Sequence, residues 1–162
     1  MRTMIAGVGY SNLSDMSVGP LAAMRLQQES WPKQIEIDDL SYGPIAVVQT
    51  FEEASPPYQR LVLISGADRG EKAANIRCYR WPGVLPPPEE IQARVVEAVT
   101  GVIDLDNLLI VLQQFGALPR EVFVIEVQPL VMEFGEALSP TVATLLPEVC
   151  RLARSAAEKG AF

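Results

Sequence analysis

Short apolar runs alternate with amphipathic stretches along the chain, and each change of period predicts a change of element. The segment "RLVLISGAD" holds a continuous apolar run from Leu61 to Ile64, which is typical of a central strand covered on both faces. "MRTMIAGVG" and "EVFVIEVQP" predict two more buried strands, and "QIEIDDL" alternates isoleucines with acids. "NIRCYRWPG" predicts a more polar strand near an edge of the sheet.

The amphipathic stretches predict helices with recognisable ends. In "SVGPLAAMRLQQES", Val18, Ala22 and Leu26 fall on one helical face with Leu21 beside them. Helices are also predicted in "GPIAVVQTFEEAS", from about Glu89 to Val99, in "DLDNLLIVLQQFG" and in "SPTVATLLPEVCRLARSAAEKG". Asp104 and Ser139 are predicted N-caps, and Gly116 and Gly160 predicted ends. Pro147 should kink or divide the last helix.

The resulting order, β-α-β-α-β-β-α-α-β-α, predicts an α/β fold. Strands that alternate with helices form a mostly parallel central sheet with helices on both faces, a three-layer α/β/α sandwich. We expect one domain over residues 1–162, with "NIRCYRWPG" as the candidate antiparallel edge. Ligands of such sheets bind beyond the carboxyl ends of the strands, here the loops after Ile5, Ile37, Ile64 and Val127.

Charge and composition exclude several classes of function. The formal net charge of −7 argues against nucleic acid and against anionic membrane surfaces, because both require a basic face. The chain contains no histidine, which excludes the Ser-His-Asp and Cys-His catalytic arrangements. Cys78 and Cys150 lie far apart in apolar segments, as expected of free thiols in a cytoplasmic protein. No apolar run is long enough to span a membrane.

The loop candidates for chemistry each have a structural alternative. Gly7 and Gly9 begin like a dinucleotide fingerprint, but Asn12 occupies the place of the third glycine. Asp38 and Asp39 end the second strand, where an acid could bind ribose, yet aspartates are also common in turns. The glycines alone would permit a tight turn after the first strand.

The edge segment "RCYRWPG" also leaves two interpretations open. Its two arginines and two aromatic residues would suit an acidic peptide segment. Charges on an edge strand also protect it from pairing with other chains, and that role explains the same residues.

Four segments in chain order resemble the hydrogenase maturation proteases, endopeptidases that trim the C-terminus of the large subunit of nickel-iron hydrogenases. They are "GVGYSNLSDMSVGP", "RLVLISGADRG", "VTGVIDLDNLLIVL" and "VFVIEVQPLVMEFGEALSPTV". They resemble, in turn, the family's glycine motif with its acidic pair, a strand ending in Asp, a His-containing loop before a helix, and a strand ending in a Gln-Pro turn. The resemblance covers nearly the whole chain and implies the same fold.

The resemblance also implies a site in which three side chains grip the nickel of the substrate. The second acid of the family's pair corresponds to Met16, and the strand-end Asp corresponds to Ser65 or is displaced to Asp68. The family's His corresponds to Gly101 or a neighbour of it. Asp15, the first acid of the pair, is retained, whereas Tyr10 replaces an Asn. Loss of these carboxylates would relieve their mutual repulsion and allow the cleft to close.

Two functions therefore stand against each other. The first is a non-catalytic relative, with no catalytic, cofactor-binding or metal-binding residue and no cofactor of its own. It would bind a protein partner, either a hydrogenase large-subunit precursor or another accessory protein. The alternative is an active nickel-dependent endopeptidase with a rearranged site in which Asp15, Asp38 and Asp68 act as substitutes. An unrelated small-molecule binder at the strand ends is the remaining interpretation.

Overall fold

A computed structural model describes residues 1–162. Five strands form one sheet in the order β2-β1-β3-β5-β4. The strands are β1 (Thr3–Val8), β2 (Ile35–Asp39), β3 (Arg60–Gly66), β4 (Ile76–Arg80) and β5 (Glu121–Val127). Strands β1, β2, β3 and β5 are parallel, and β4 pairs antiparallel with β5 at the edge. The predicted three-layer fold and its antiparallel edge are both confirmed.

Six α-helices cover the two faces of the sheet. They are α1 (Val18–Leu26), α2 (Pro44–Glu53), α3 (Pro88–Val99), α4 (Leu105–Gln114), α5 (Pro140–Ala143) and α6 (Leu146–Lys159). Pro147 lies in the first turn of α6, so the terminal helix is divided as predicted. The predicted caps also form: the Asp104 side chain accepts a hydrogen bond from Asn107 N, and Ser139 Oγ accepts one from Val142 N. None of the helices has the length and apolar character needed to cross a membrane.

Alternate residues of the central strands supply two separate hydrophobic cores, as the pleat of a strand requires. One core packs beneath α2, α3 and α4 and contains Met4, Leu61, Leu63, Val122, Val124, Val47, Leu109 and Leu112. The other packs beneath α1 and α6 and contains Ile5, Val62, Ile64, Phe123, Ile125, Val18, Leu26 and Val149. Burial on both faces explains the continuous apolar run of β3.

A close contact between β1 and α1 fixes the segment that leads from one to the other. A Cβ on Gly7 would overlap the carbonyl of Gly19, and a Cβ on Gly19 would overlap the carbonyls of Val8 and Ile64. Only glycine fits at these two positions. The intervening chain forms a short 3₁₀ helix, Ser14–Ser17, where the sequence predicts only a loop.

Candidate functional site

A cleft of about 290 Å³ opens at the carboxyl ends of β1 and β3, where parallel sheets bind ligands. Its walls include Tyr10, Met16, Ser65, the segment 66–69 and the loop 102–106 that begins α4. The three positions singled out by the family resemblance, or their direct neighbours, therefore converge on one cavity. The cleft has not closed, although the replacement of acids by neutral side chains was expected to allow it.

Met16 lies in the short 3₁₀ helix, half-buried at the mouth of the cleft. A Cβ on Gly66 would lie 3.5 Å from Met16 Sδ and 3.1 Å from Met16 Cα, so the glycine leaves room for the methionine. The cleft thus presents a neutral thioether here. Thioethers are soft ligands that suit Cu(I) better than a site of oxygen and imidazole ligands.

Ser65 follows at the carboxyl end of β3 and is buried. Its Oγ lies 2.9 Å from Val8 O and 3.1 Å from Gly66 O, so its hydroxyl proton is directed to backbone carbonyls. The hydroxyl ties β3 to the end of β1. It therefore acts as a hydrogen-bond donor within the fold, and a neutral hydroxyl is a weak metal ligand.

The loop between α3 and α4 forms the far wall of the cleft. Gly101 has a φ of +85° and does not itself line the cavity, whereas Val102 and Ile103 do. Tyr10 Oη accepts a hydrogen bond of 3.0 Å from Ile103 N, which joins the β1 exit loop to this wall. Tyr10, where the resemblance implies an Asn, therefore holds two sides of the cleft at a fixed separation.

Replacing Tyr10 with phenylalanine is expected to loosen the loop without unfolding the protein. The change leaves Ile103 N without its protein acceptor, and a neutral hydrogen bond contributes about 1 kcal/mol. Hydrogen exchange should show faster exchange at the Ile103 amide. Exchange at Leu63, inside β3, serves as the internal control and should not change. Unchanged exchange at Ile103 would contradict the assigned role of the hydroxyl.

Asp15 faces away from the cleft and lies fully buried beneath the chain that follows β5. Its carboxylate accepts four hydrogen bonds, from Leu130 N, Val131 N, Ser139 N and Ser139 Oγ, at 2.7 to 2.9 Å. Burial opposes the charged form, but these hydrogen bonds outweigh it and hold the pKa of Asp15 below its ordinary value. The carboxylate anchors residues 130–138, here called the 130–138 loop.

The other two candidate acids do not join Asp15. Asp38 is exposed on β2, at the edge of the sheet, and does not line the cleft. Asp68 does line it, and its Oδ1 accepts hydrogen bonds from Gln128 Nε2 at 2.8 Å and Gly70 N at 3.0 Å. These hydrogen bonds hold the pKa of Asp68 below its ordinary value. The structure shows no group of three acidic, cysteine or histidine side chains that could hold a metal ion.

An arginine also lines the cleft, and acids from two elements hold it in place. Arg69 forms two hydrogen bonds with Asp106, at 2.6 and 2.8 Å, and two with Glu126, at 2.7 and 3.2 Å. Tyr79 Oη donates to Glu126 at 2.7 Å. The hydrogen bonds from Arg69 lower the pKa of Asp106, and burial together with Glu126 raises the pKa of Tyr79.

The sequence contains a signal for Glu126 and Gln128 but none for Arg69 and Tyr10. Glu126 is an acid inside the apolar run of β5, and a buried acid requires a partner. Gln128 precedes a proline that marks the end of β5, and its side-chain amide bonds to Asp68 and to Arg69 N in the loop after β3. Nothing local distinguishes Arg69 or Tyr10, because their partners lie 37 to 93 residues away along the chain.

Comparison with known proteins gives matches among solved structures only. No family model matches the sequence, and no curated protein matches it. The hydrogenase 2 maturation peptidase from Thaumarchaeota archaeon SCGC_AB-539-E09 is 20% identical over 96% of this chain and 97% of its own, with a TM-score of 0.68. An endopeptidase from Escherichia coli is 21% identical over 99% and 95%, with a TM-score of 0.73.

The hydrogenase maturating endopeptidase HybD from E. coli is similar to the same extent. It is 22% identical to this chain over 96% of this chain and 92% of its own, with a TM-score of 0.69. In all three comparisons the match extends over nearly the full length of both chains. The resemblance that four sequence segments indicated is thus confirmed in three dimensions: the protein has the fold of the hydrogenase maturation endopeptidases.

Proposed function

We propose that the protein is a non-catalytic relative of the hydrogenase maturation endopeptidases that binds a protein partner without cutting it. The observation that carries this proposal is the composition of the cleft. Where the resemblance implies three nickel-gripping side chains, the cleft presents the thioether of Met16, the hydroxyl of Ser65 and the backbone beside Gly101. The cleft has no imidazole, and the three aspartates that line it, Asp68, Asp104 and Asp106, do not form a group that could hold a metal ion. A nickel ion of the substrate would therefore lack a set of ligands to position it.

The charge on the cleft wall supports the same conclusion. The guanidinium of Arg69 lines the cavity, and its hydrogen bonds to Asp106 and Glu126 hold it in place. Asp106 therefore forms an ion pair with Arg69, and Asp68 accepts a hydrogen bond from Gln128. Asp104, which also lines the cleft, accepts one from Asn107 N at the start of α4. The acids that remain near the cleft therefore have partners within the protein, and a rearranged site built on them would first have to break those contacts.

The alternative of an active endopeptidase has less support. Its substitutes, Asp15, Asp38 and Asp68, lie in three different places: buried beneath the 130–138 loop, exposed on the edge strand, and at the cleft. Asp15 already accepts four hydrogen bonds. A carboxylate in that position stabilises the fold and does not line the cleft.

A surface for the partner is available beside the cleft. The 130–138 loop exposes Leu130, Met132 and Phe134, of which Phe134 is 80% exposed. The backbone of this loop is hydrogen-bonded to the segment that carries Met16, through Asp15 N to Val131 O and Ser14 N to Gly135 O. Exposed apolar side chains on a rigid loop are typical of a protein-binding surface. The partner we propose is a hydrogenase large-subunit precursor or another accessory protein, in the cytoplasm.

Replacing Phe134 with serine is expected to weaken binding of a nickel-iron hydrogenase large-subunit precursor from the same genome by about tenfold or more, because exposed aromatic residues often dominate interfaces. Biolayer interferometry with the immobilised precursor measures the change. Phe115→Ser is the matched control. Phe115 is 50% exposed and follows the last residue of α4, whereas the first residues of that helix line the cleft. Equal losses for both variants, or no binding by the unaltered protein, would contradict the proposed surface.

A further inference from the structure

The outer edge of β4 is free to pair with another strand. Trp81 N donates to Val122 O, and the register places Arg80 opposite Phe123. Because alternate residues of an antiparallel strand bond to the same neighbour, Arg77 and Tyr79 bond toward β5. The N–H and C=O groups of Ile76, Cys78 and Arg80 therefore point away from the sheet. No other strand pairs with this side.

The same edge carries two exposed arginines that the protein's own acids neutralise only in part. Arg77 is exposed and forms no salt bridge, and its guanidinium lies 5.3 Å from the centroid of the Tyr79 ring. Arg80 is 57% exposed and lies 3.6 Å from Glu121, which also pairs with Arg60 at 2.7 Å. One acid thus serves two arginines, and Arg77 has none.

A cavity of about 490 Å³ runs beside this edge, lined by Arg77, Arg80, Tyr79, Trp81 and the Arg69–Asp106 pair. The cavity is distinct from the cleft, and the Arg69–Asp106 pair lies between the two. Guanidinium groups beside aromatic rings can bind carboxylates while the rings contact apolar side chains. The protein has a net charge of −7, so this basic surface differs from the rest of it. A basic surface favours binding of an acidic partner over a basic one.

We propose that β4 binds an extended acidic segment of a partner protein, which adds to the sheet as a further strand. Its backbone pairs with the free groups of Ile76, Cys78 and Arg80. Arg77 and Arg80 project from opposite faces of β4, beside Tyr79 and Phe123 respectively, so carboxylates on both faces of the added segment contact them. Main-chain pairing provides affinity in this mode of recognition, and side-chain contacts provide specificity. The proposal concerns a second surface and does not depend on the hydrogenase assignment.

The probe for this proposal is a short fluorescent peptide in which pairs of glutamates alternate with pairs of valines, so that both faces of the added strand carry carboxylates. Its binding is measured by fluorescence anisotropy at low salt. The double variant Arg77→Glu/Arg80→Glu is expected to bind it at least about tenfold more weakly. The control double variant, Arg25→Glu/Lys33→Glu, makes the same change in net charge at two exposed residues away from β4 and is expected to bind nearly normally. The same peptide with glutamine in place of glutamate should bind the unaltered protein weakly.

Hydrogen exchange distinguishes strand addition from a purely electrostatic contact. Bound peptide should slow exchange at the amides of Ile76, Cys78 and Arg80. Three results would overturn the proposal: no binding to the unaltered protein, equal losses in the two double variants, or binding without protection of these amides. The first and second would leave the arginines as charges that only prevent edge pairing. Equal denaturant midpoints for the two double variants verify that each is folded.

Discussion

Replacing Asp15 with alanine is expected to lower the free energy of unfolding by about 3–5 kcal/mol. The substitution leaves four donors without their acceptor: the amide and hydroxyl of Ser139, which are buried, and the amides of Leu130 and Val131, which are partly buried. It also removes the side-chain hydrogen bonds by which the 3₁₀ helix carrying Met16 holds the 130–138 loop, and leaves the backbone bonds from Ser14 N and Asp15 N. Urea unfolding followed by circular dichroism measures the change.

The effect of the Asp15 substitution should depend on pH. The folded-state pKa of Asp15 lies below its ordinary value, so its carboxylate stabilises the protein above the unfolded-state pKa of about 3.9. That contribution disappears as the pH falls through the folded-state pKa. The difference in stability between the unaltered protein and the alanine variant should therefore be constant above about pH 5 and decrease at lower pH.

Asp38→Ala is the matched control for this prediction. Asp38 is an exposed acid whose side chain accepts a hydrogen bond only from the neighbouring amide of Asp39. Its replacement should change stability by about 0.5 kcal/mol or less. If Asp15→Ala has the same denaturant midpoint as Asp38→Ala at neutral pH, Asp15 does not anchor the loop.

Replacing Glu126 with alanine is expected to have a comparable effect, a loss of about 3–5 kcal/mol. Glu126 is 2% exposed and accepts hydrogen bonds from Arg69 and Tyr79. Its removal leaves a charged guanidinium and a half-buried hydroxyl without their common partner. Arg69 then keeps only Asp106, so the cleft wall should become mobile as well as less stable.

Asp106→Ala is the control for Glu126, because both acids pair with Arg69 but Asp106 is 35% exposed. Water can replace part of the contact between Asp106 and Arg69. We therefore expect Asp106→Ala to lower the free energy of unfolding by about 1 kcal/mol. Chemical denaturation gives the free energy of unfolding of both variants. Hydrogen exchange of the Arg69 amide reports on the mobility of the cleft wall. A smaller loss for Glu126→Ala than for Asp106→Ala would contradict the assignment of Glu126 as the principal partner.

The fold could be predicted because its signals are local. A continuous apolar run such as Leu61–Ile64 requires cover on both faces, and Pro147 cannot continue a helix without interrupting its hydrogen bonds. The cluster of Met16, Ser65 and the Gly101–Val102 loop could also be predicted. It follows from the family resemblance together with the rule that parallel strands end at one edge of the sheet.

The interior of the site could not be predicted, because its contacts join distant segments. In the sequence, Asp15 is one acid of a loop motif. The four donors that bond to its carboxylate lie 115 to 124 residues further along the chain. The bond from Ile103 N to Tyr10 spans 93 residues. These contacts also explain why the cleft remains open, since Tyr10 and Arg69 hold its walls where loss of the acids would have let them approach.

The most direct test of the account is incubation with a nickel-loaded hydrogenase large-subunit precursor from the same genome, followed by mass spectrometry of the intact precursor. The endopeptidase that normally processes that precursor serves as the positive control. A cleft that presents Met16, Ser65 and Val102 should leave the precursor at its full mass while binding it. Release of the C-terminal peptide at a rate proportional to the concentration of the protein would contradict the account.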